Sequence, residues 1–207
     1  TKVIDITQIL DSFGVYDIKE QIVQEKFPDF DIKCKYRVMV PPKSTNTIGI
    51  PFLEILDEDN KQHKFKISSS EFLTLTAATS IKHRVRMTTL YFHGEKSNFS
   101  VVGTTNKSEY QQGYFVKYGD GGSDIEPLVN IYKSQIYQLG NFLDVPNKIL
   151  TNDASPDVWS YSTNDKEFFY SVSYDVVDLI LYAREHKLSV KDVQNISNLS
   201  KENIENL

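Results

Sequence analysis

The apolar run Phe99, Val101 and Val102 stops abruptly at Gly103-Thr104, and this change of character constrains the fold more than any other feature of the chain. A short run of this kind followed by a polar opener, Thr105-Asn106-Lys107-Ser108-Glu109, predicts a strand that delivers the chain to a helix. A glycine-rich turn with acids comes next, Gly119-Asp120-Gly121-Gly122-Ser123-Asp124, and a second helix begins near Asn130 with Lys133 in its first turn. Open α/β sheets place ligands where strand ends leave a crevice and helix N-termini present free N–H groups to anions. The stretch supplies a hydroxyl (Thr104), a carboxylate (Glu109) and two lysines (Lys117 and Lys133). Such a set suits a magnesium–polyphosphate better than an apolar ligand.

The remainder of the chain predicts one globular domain with an appendage, since 207 residues at 40% hydrophobic and 25% charged content fall in that range. A net charge of −5 argues against nucleic acid as the main partner, although Lys82-His83-Arg84-Val85-Arg86 is a local basic cluster. The single cysteine, Cys34, allows no internal disulfide and fits a reducing cytosol. It has no His or Cys neighbours at zinc-ligand spacing. No apolar run approaches the ~18 residues of a membrane span. Val3 to Ile6 reads as a strand entering a helix, Thr7 to Phe13, closed by Gly14; a second helix is expected from Asp17 to Lys26, with Ile18, Ile22 and Val23 on one face. Tyr36 to Val40, Phe52 to Leu56 and His63 to Ile67 read as strands, the last two forming a hairpin about Asp57 to Lys61. A long helix is expected from Glu71 to about Phe92, N-capped by Ser69 or Ser70. Helices Ile131 to Leu143, Asp165 to Tyr170, Tyr174 to His186, Val190 to Ile196 and one from Lys201 complete the reading. The expected organisation is an α/β body at 1–28 and 69–160, a β-rich insertion at 29–68 and a helical tail at 161–207. The insertion reads as packing and surface, or else as a lid or oligomer contact.

Five motifs in series carry a resemblance: Lys82-x-Arg84-x-Arg86-Met87, Gly103 to Glu109, Lys117-Tyr118-Gly119-Asp120-Gly121-Gly122-x-Asp124, Tyr132-Lys133, and Ala154-Ser155-Pro156-Asp157-x-Trp159. In this order and spacing they resemble the ammonia-dependent NAD synthetase family, of the N-type ATP pyrophosphatase group. The resemblance implies an α/β fold of the adenine nucleotide alpha-hydrolase type, with a mostly parallel sheet and helices on both faces. The family's pyrophosphate loop, Ser-Gly-Gly-x-Asp-Ser, is absent from the 207 residues. With the missing initial Met, this leads to the expectation of a C-terminal part of such an enzyme, inactive alone. The implied reaction joins ammonia to the carboxylate of deamido-NAD through an adenylate, with ATP and Mg²⁺ as cofactors and AMP and pyrophosphate released.

Under that resemblance Thr104, Lys133 and Ser155 face ATP, Glu109 holds Mg²⁺, and Arg84, Lys117 and Asp124 contact the deamido-NAD. Blander readings stand beside each role. Lys133 could be a solvated lysine, although a cation in a helix's first turn opposes the dipole. Asn106 with Glu109 three residues on matches a capping box. Thr104 could simply end a strand, Lys117 could be a surface charge, and Asp124 could brace the glycine-rich turn. Arg84 could clamp a carboxylate or phosphate bidentately, and Trp159 could stack on a ring or fill the core. The resemblance also implies a cytoplasmic homodimer meeting along the long arginine-bearing helix. Two other readings remain. A related enzyme could amidate a different carboxylate, or the chain could be a catalytically silent dimerisation or binding module. Leu188 to Val193 and Leu199 to Ile204 have a helix-turn-helix look, but Asp192, Glu202 and Glu205 disfavour DNA.

Overall fold

The computed structural model describes residues 3–31, 33–40, 50–152, 155, 159–161, 172–197 and 199–206. Helices α1 (Thr7–Ser12) and α2 (Val15–Lys26) are joined at Gly14, whose φ of 64° is a left-handed turn open to glycine. Because α2 starts at Val15, its inward face is Val15, Lys19, Ile22 and Val23, while Ile18 turns outward. A lysine therefore occupies a core position where the sequence suggested an isoleucine.

Three strands follow, β1 (Lys35–Met39), β2 (Phe52–Leu56) and β3 (Gln62–Lys66), antiparallel in the order β1-β2-β3. The register pairs Val38 with Leu53 and Leu53 with Phe65, so one face of the sheet is apolar. That face closes over α2 and the start of α3 (Ser69–Ser97), in a core of Ile22, Val23, Cys34, Val38, Leu53, Ile55, Ile67 and Leu75. Each fully buried aliphatic side chain there contributes about 1.5–3 kcal/mol. The expected insertion is thus a wall of the same core as α2. On its other face Glu54 is held between Arg37 at 2.9 Å and Lys64 at 3.3 Å. The hairpin turns at Asp57, whose Oδ1 accepts the Asp59 and Lys61 N–H groups. Trp159 packs on this core, with its ring centroid 6.1 Å from that of Tyr36.

Helix α3 is longer than the sequence suggested, and its N-cap is Ser68. The Ser68 side chain accepts the Glu71 N–H while Glu71 accepts the Ser68 N–H. This capping box fixes the start, and Asn98 in the left-handed region ends the helix. Past it come α4 (Lys107–Gln112), α5 (Lys133–Phe142), α6 (Asn147–Leu150), α7 (Tyr174–Glu185), α8 (Val190–Ile196) and α9 (Lys201–Asn206). The last three share an apolar cluster of Ile180, Ala183, Val193, Leu188 and Ile204, so the C-terminal helices pack on one another.

The α/β class stands, and two of its expected details change. Among the described residues the strands form an antiparallel sheet, and the expected parallel pairing is reduced to one bridge, Val102 with Ile125. Phe99, Val102 and Ile125 are all exposed, and without neighbouring strands an apolar run has no ladder to join. The expected opening strand at Val3 to Ile6 is irregular for the same reason; Val3 is 92% exposed, and Asp5 Oδ1 takes the Thr7 N–H instead. The predicted helix from Asp165 to Tyr170 lies outside the described residues.

Candidate functional site

The site is built where two helices begin side by side. Helix N-termini carry N–H groups without intrahelical partners, so two starts together concentrate donors and positive dipole ends. Here the Lys107 N–H donates to the Ile131 carbonyl at 3.0 Å, fixing the opening turn of α4 against the residues that lead into α5. Asn106, 1% exposed, caps α4 by accepting the Glu109 N–H at 3.0 Å. Glu109 Oε2 returns to the Asn106 N–H at 3.1 Å, which completes the capping box. The other carboxylate oxygen, Oε1, lies 3.4 Å from Lys133 Nζ. Both side chains are about one-fifth exposed, at 19% and 21%. The capping and functional readings of Glu109 are therefore compatible: one oxygen is spent on the backbone and the other faces the lysine.

Helix α7 supplies the second wall. The Lys133 N–H donates to Ser108 Oγ at 3.0 Å, and the Ser134 N–H donates to Asp178 Oδ2 at 2.8 Å. Ser108 in turn donates its hydroxyl hydrogen to Asp178 Oδ1. Ser108 is fully buried and Asp178 nearly so. Lys133 Nζ also lies 5.5 Å from the centre of the Tyr174 ring, at the first turn of α7. A separate brace joins Lys107 Nζ and the Tyr132 hydroxyl to Glu185, at 2.6 and 2.8 Å. The hydrogen bond from Lys107 holds the Glu185 carboxyl below its usual value, and burial raises the Tyr132 phenol.

The other predicted residues make contacts of their own. Thr104 is exposed two residues ahead of Asn106, past Gly103, whose N–H donates to the Ile125 carbonyl at 2.8 Å. Arg84, on α3, donates through Nε to the Lys117 carbonyl at 3.1 Å, tying the long helix to the glycine-rich turn. Lys117 itself is exposed, with Nζ 5.0 Å over the Tyr118 ring. Gly119 makes that approach possible, because a Cβ there would lie 2.8 Å from His83 Cβ. Burial lowers the His83 imidazole below its usual value, and Asp120 Oδ1 lies 3.6 Å from its Nδ1. Asp124 accepts the Val101 N–H at 2.8 Å through one oxygen and the Tyr91 hydroxyl at 3.0 Å through the other, which is the bracing role. Ser155 is exposed, and its neighbours 153–154 and 156–158 lie outside the described residues. The structure thus brings Glu109 and Lys133 together and joins Arg84 to the Lys117 backbone, while Asp124 belongs to a separate network.

Ser108 lies within the Gly103 to Glu109 motif without a role of its own there, and Tyr174 and Asp178 fall outside all five motifs. The available signal is Asp178, an acid at helical spacing within the apolar stripe Val177, Ile180 and Leu181. Buried acids require partners. Among the described residues no group of three or more His, Cys, Asp or Glu gathers to hold a metal ion, and no helix is long and apolar enough to cross a membrane.

A family model described as NAD synthase matches residues 43–207. An NH(3)-dependent NAD(+) synthetase of Rhizobium meliloti is 34% identical over 196 residues, covering 94% of this chain and 59% of its own. One from Thermotoga maritima is 42% identical over 133 residues, covering 63% of this chain and 47% of its own. A solved NH3-dependent NAD synthetase from Campylobacter jejuni superposes with a TM-score of 0.51 at 24% identity, over 99% of this chain and 56% of that one, a likeness of fold. The chain thus spans about half to three fifths of the length of these proteins.

Proposed function

The chain belongs to the NAD synthase family, and from that premise we propose that the protein is an ATP-dependent, ammonia-using ligase that makes NAD from deamido-NAD. The observation that carries the reading is the Lys133–Glu109 pair, set at 3.4 Å where two helices begin. The carboxylate of the deamido-NAD nicotinate attacks the α-phosphorus of ATP and pyrophosphate departs. Ammonia then adds to the acyl carbon of the adenylate and AMP leaves, giving the amide. Such chemistry needs alignment and charge neutralisation more than covalent help from the protein.

The Lys133 ammonium offsets phosphate charge, since the opening amides of α4 and α5 are already spent on Ile131, Asn106, Ser108 and Asp178. Thr104 and Ser155 present hydroxyls to the nucleotide. Arg84, Lys117 and Asp124 hold the deamido-NAD, Arg84 keeping guanidinium donors beyond the one given to Lys117 and Asp124 keeping lone pairs beyond those given to Val101 and Tyr91. Glu109 fits magnesium, which takes one or two carboxylates with substrate phosphates and does not need a protein cage. When bound, the ion neutralises polyphosphate charge and makes pyrophosphate a better leaving group. Two copies meet along α3, where Leu73, Leu90 and Phe92 are exposed, and the protein acts in the cytoplasm. The test is AMP and NAD release from ATP, Mg²⁺, ammonia and deamido-NAD by the full-length protein. Absence of AMP release with this substrate rejects the reading.

A further inference from the structure

Two of the orphan N–H groups at the start of α5 are capped from outside the helix. The N-cap residue is Tyr132, whose phenol is spent on Glu185. The oxygens for the Lys133 and Ser134 amides come from Ser108 on α4 and Asp178 on α7, 25 and 44 residues away. Ser108 works as a relay of fixed polarity. Its single hydrogen goes to Asp178, so a lone pair must face the Lys133 N–H. Asp178 takes both bonds with its two oxygens from within the apolar stripe of α7, 5% exposed. A buried carboxylate is weak support for stability, because its desolvation offsets most of what its bonds contribute. What it provides is direction: a negative charge at a helix N-terminus, bonded to the Ser134 N–H directly and to the Lys133 N–H only through Ser108. Tyr174, one turn upstream on the same face of α7, lies beneath the ammonium of that lysine.

We infer that Asp178, acting through Ser108 and the first turn of α5, is the positioning residue that sets Lys133 against Glu109. This rests on Lys133 and Glu109 being the phosphate- and metal-facing groups. The tail helix α7 is then part of the site, and loss of its grip loosens the lysine without removing any group that touches substrate.

The test compares wild-type full-length protein with Asp178→Asn, Ser108→Ala and Glu185→Gln, the last breaking the neighbouring brace of α7 without touching Ser108 or Lys133. One readout is the rate at which an amine-reactive ester labels Lys133, followed by peptide mass spectrometry against exposed Lys191. The other is KM for ATP set against kcat. Asp178→Asn is expected to label Lys133 several-fold faster and to raise KM for ATP about 10-fold or more, as for other residues that orient ligand-facing groups. Glu185→Gln is expected to lower Tm while leaving both readouts at wild-type values. If Asp178→Asn lowers Tm and leaves labelling and KM unchanged, Asp178 is merely structural and the inference is overturned. Should Asp178→Asn not fold, Ser108→Ala, which removes the relay and leaves Asp178 on Ser134, decides the same question through the labelling rate: faster labelling supports the relay and an unchanged rate overturns it. A wild-type protein that releases no AMP sinks the ligase reading alone, because labelling still decides the positioning role.

Discussion

Replacing Lys19 by methionine should stabilise the protein, and more strongly the lower the pH. Lys19 is 2% exposed, on the inward face of α2, with its ammonium 5.1 Å over the Trp159 ring. Burial, aided by the nearby Lys82 ammonium, lowers its pKa from the ordinary 10.5 to about 7. The folded protein therefore holds this proton less tightly than the unfolded chain does. Between about 7 and 10.5 the unfolded state binds more protons, so stability rises with pH across that window. Below about pH 7 both states are charged and the folded one bears the full cost of burial. At 1.36 kcal/mol for each tenfold change in proton affinity, that cost is on the order of 5 kcal/mol, falling to about 2 near pH 9. The indole face offsets part of it, roughly 0.5–2 kcal/mol. Methionine fills a similar volume without a charge, so Lys19→Met should raise the urea midpoint most near pH 6 and least near pH 10. The assay is urea unfolding of both proteins followed by circular dichroism across that range. Equal gains at every pH, or a loss that does not vary with pH, would refute a charge-hostile site at Lys19.

The remaining expectations concern the site and its supports. Glu109→Gln preserves a capping box, since Gln serves at that position as well as Glu; it should leave Tm within about 1 °C yet cut kcat/KM by about 100-fold or more in the AMP-release assay, on the scale seen for loss of one charge-stabilising group. Lys133→Met should weaken ATP binding, read by calorimetry, with little change in deamido-NAD affinity. The hydrogen bond from Lys26 holds the Glu71 carboxyl down at about 2, against an ordinary 4.5. Its contribution is therefore present above 4.5 and lost as pH falls through about 2. Allowing for solvent at this partly exposed pair, Glu71→Gln should cost about 1 kcal/mol in neutral unfolding titrations and nothing at the acid end of that window. Gly119→Ala, which drives a Cβ to 2.8 Å from His83, should destabilise by about 1–3 kcal/mol in the same titration and weaken substrate binding by shifting Lys117 away from Arg84.

What the sequence displays is local, and what it conceals is where elements meet. The hairpin from Phe52 to Lys66 and the capping box at Asn106 are legible because their partners lie a few residues apart. The inward turn of Lys19 is not, because periodicity alone favours Ile18; the starting residue of α2, fixed by Gly14, decides which of the two adjacent positions is buried. Strand pairing around Val102 misleads for a similar reason. An apolar run of strand type states a preference, and only a neighbour at hydrogen-bond distance makes it a sheet, which here reduces to the Ile125 bridge. At the site, Glu109 and Lys133 are recognisable from motif order, yet nothing in their surroundings announces Asp178, 45 residues beyond Lys133.

The concealment has a physical cause that bears on how such a site is held. A helix capped by its own N-cap side chain carries its geometry with it, so a motif in the sequence also records its position in space. Helix α5 lacks that arrangement at Lys133 and Ser134 and takes its oxygens from α4 and α7, so its first turn is placed only when three distant segments have come together. The Lys133–Glu109 distance is then a consequence of tail docking as much as of the motifs themselves. A change that pulls Asp178 away from Ser108 and Ser134, such as damage to the apolar contact of the adjacent Val177 with Tyr132, should reach the lysine, whereas loss of the Glu185 hydrogen bonds at the far end of α7 should not. The tail is part of the machinery that presents the charge.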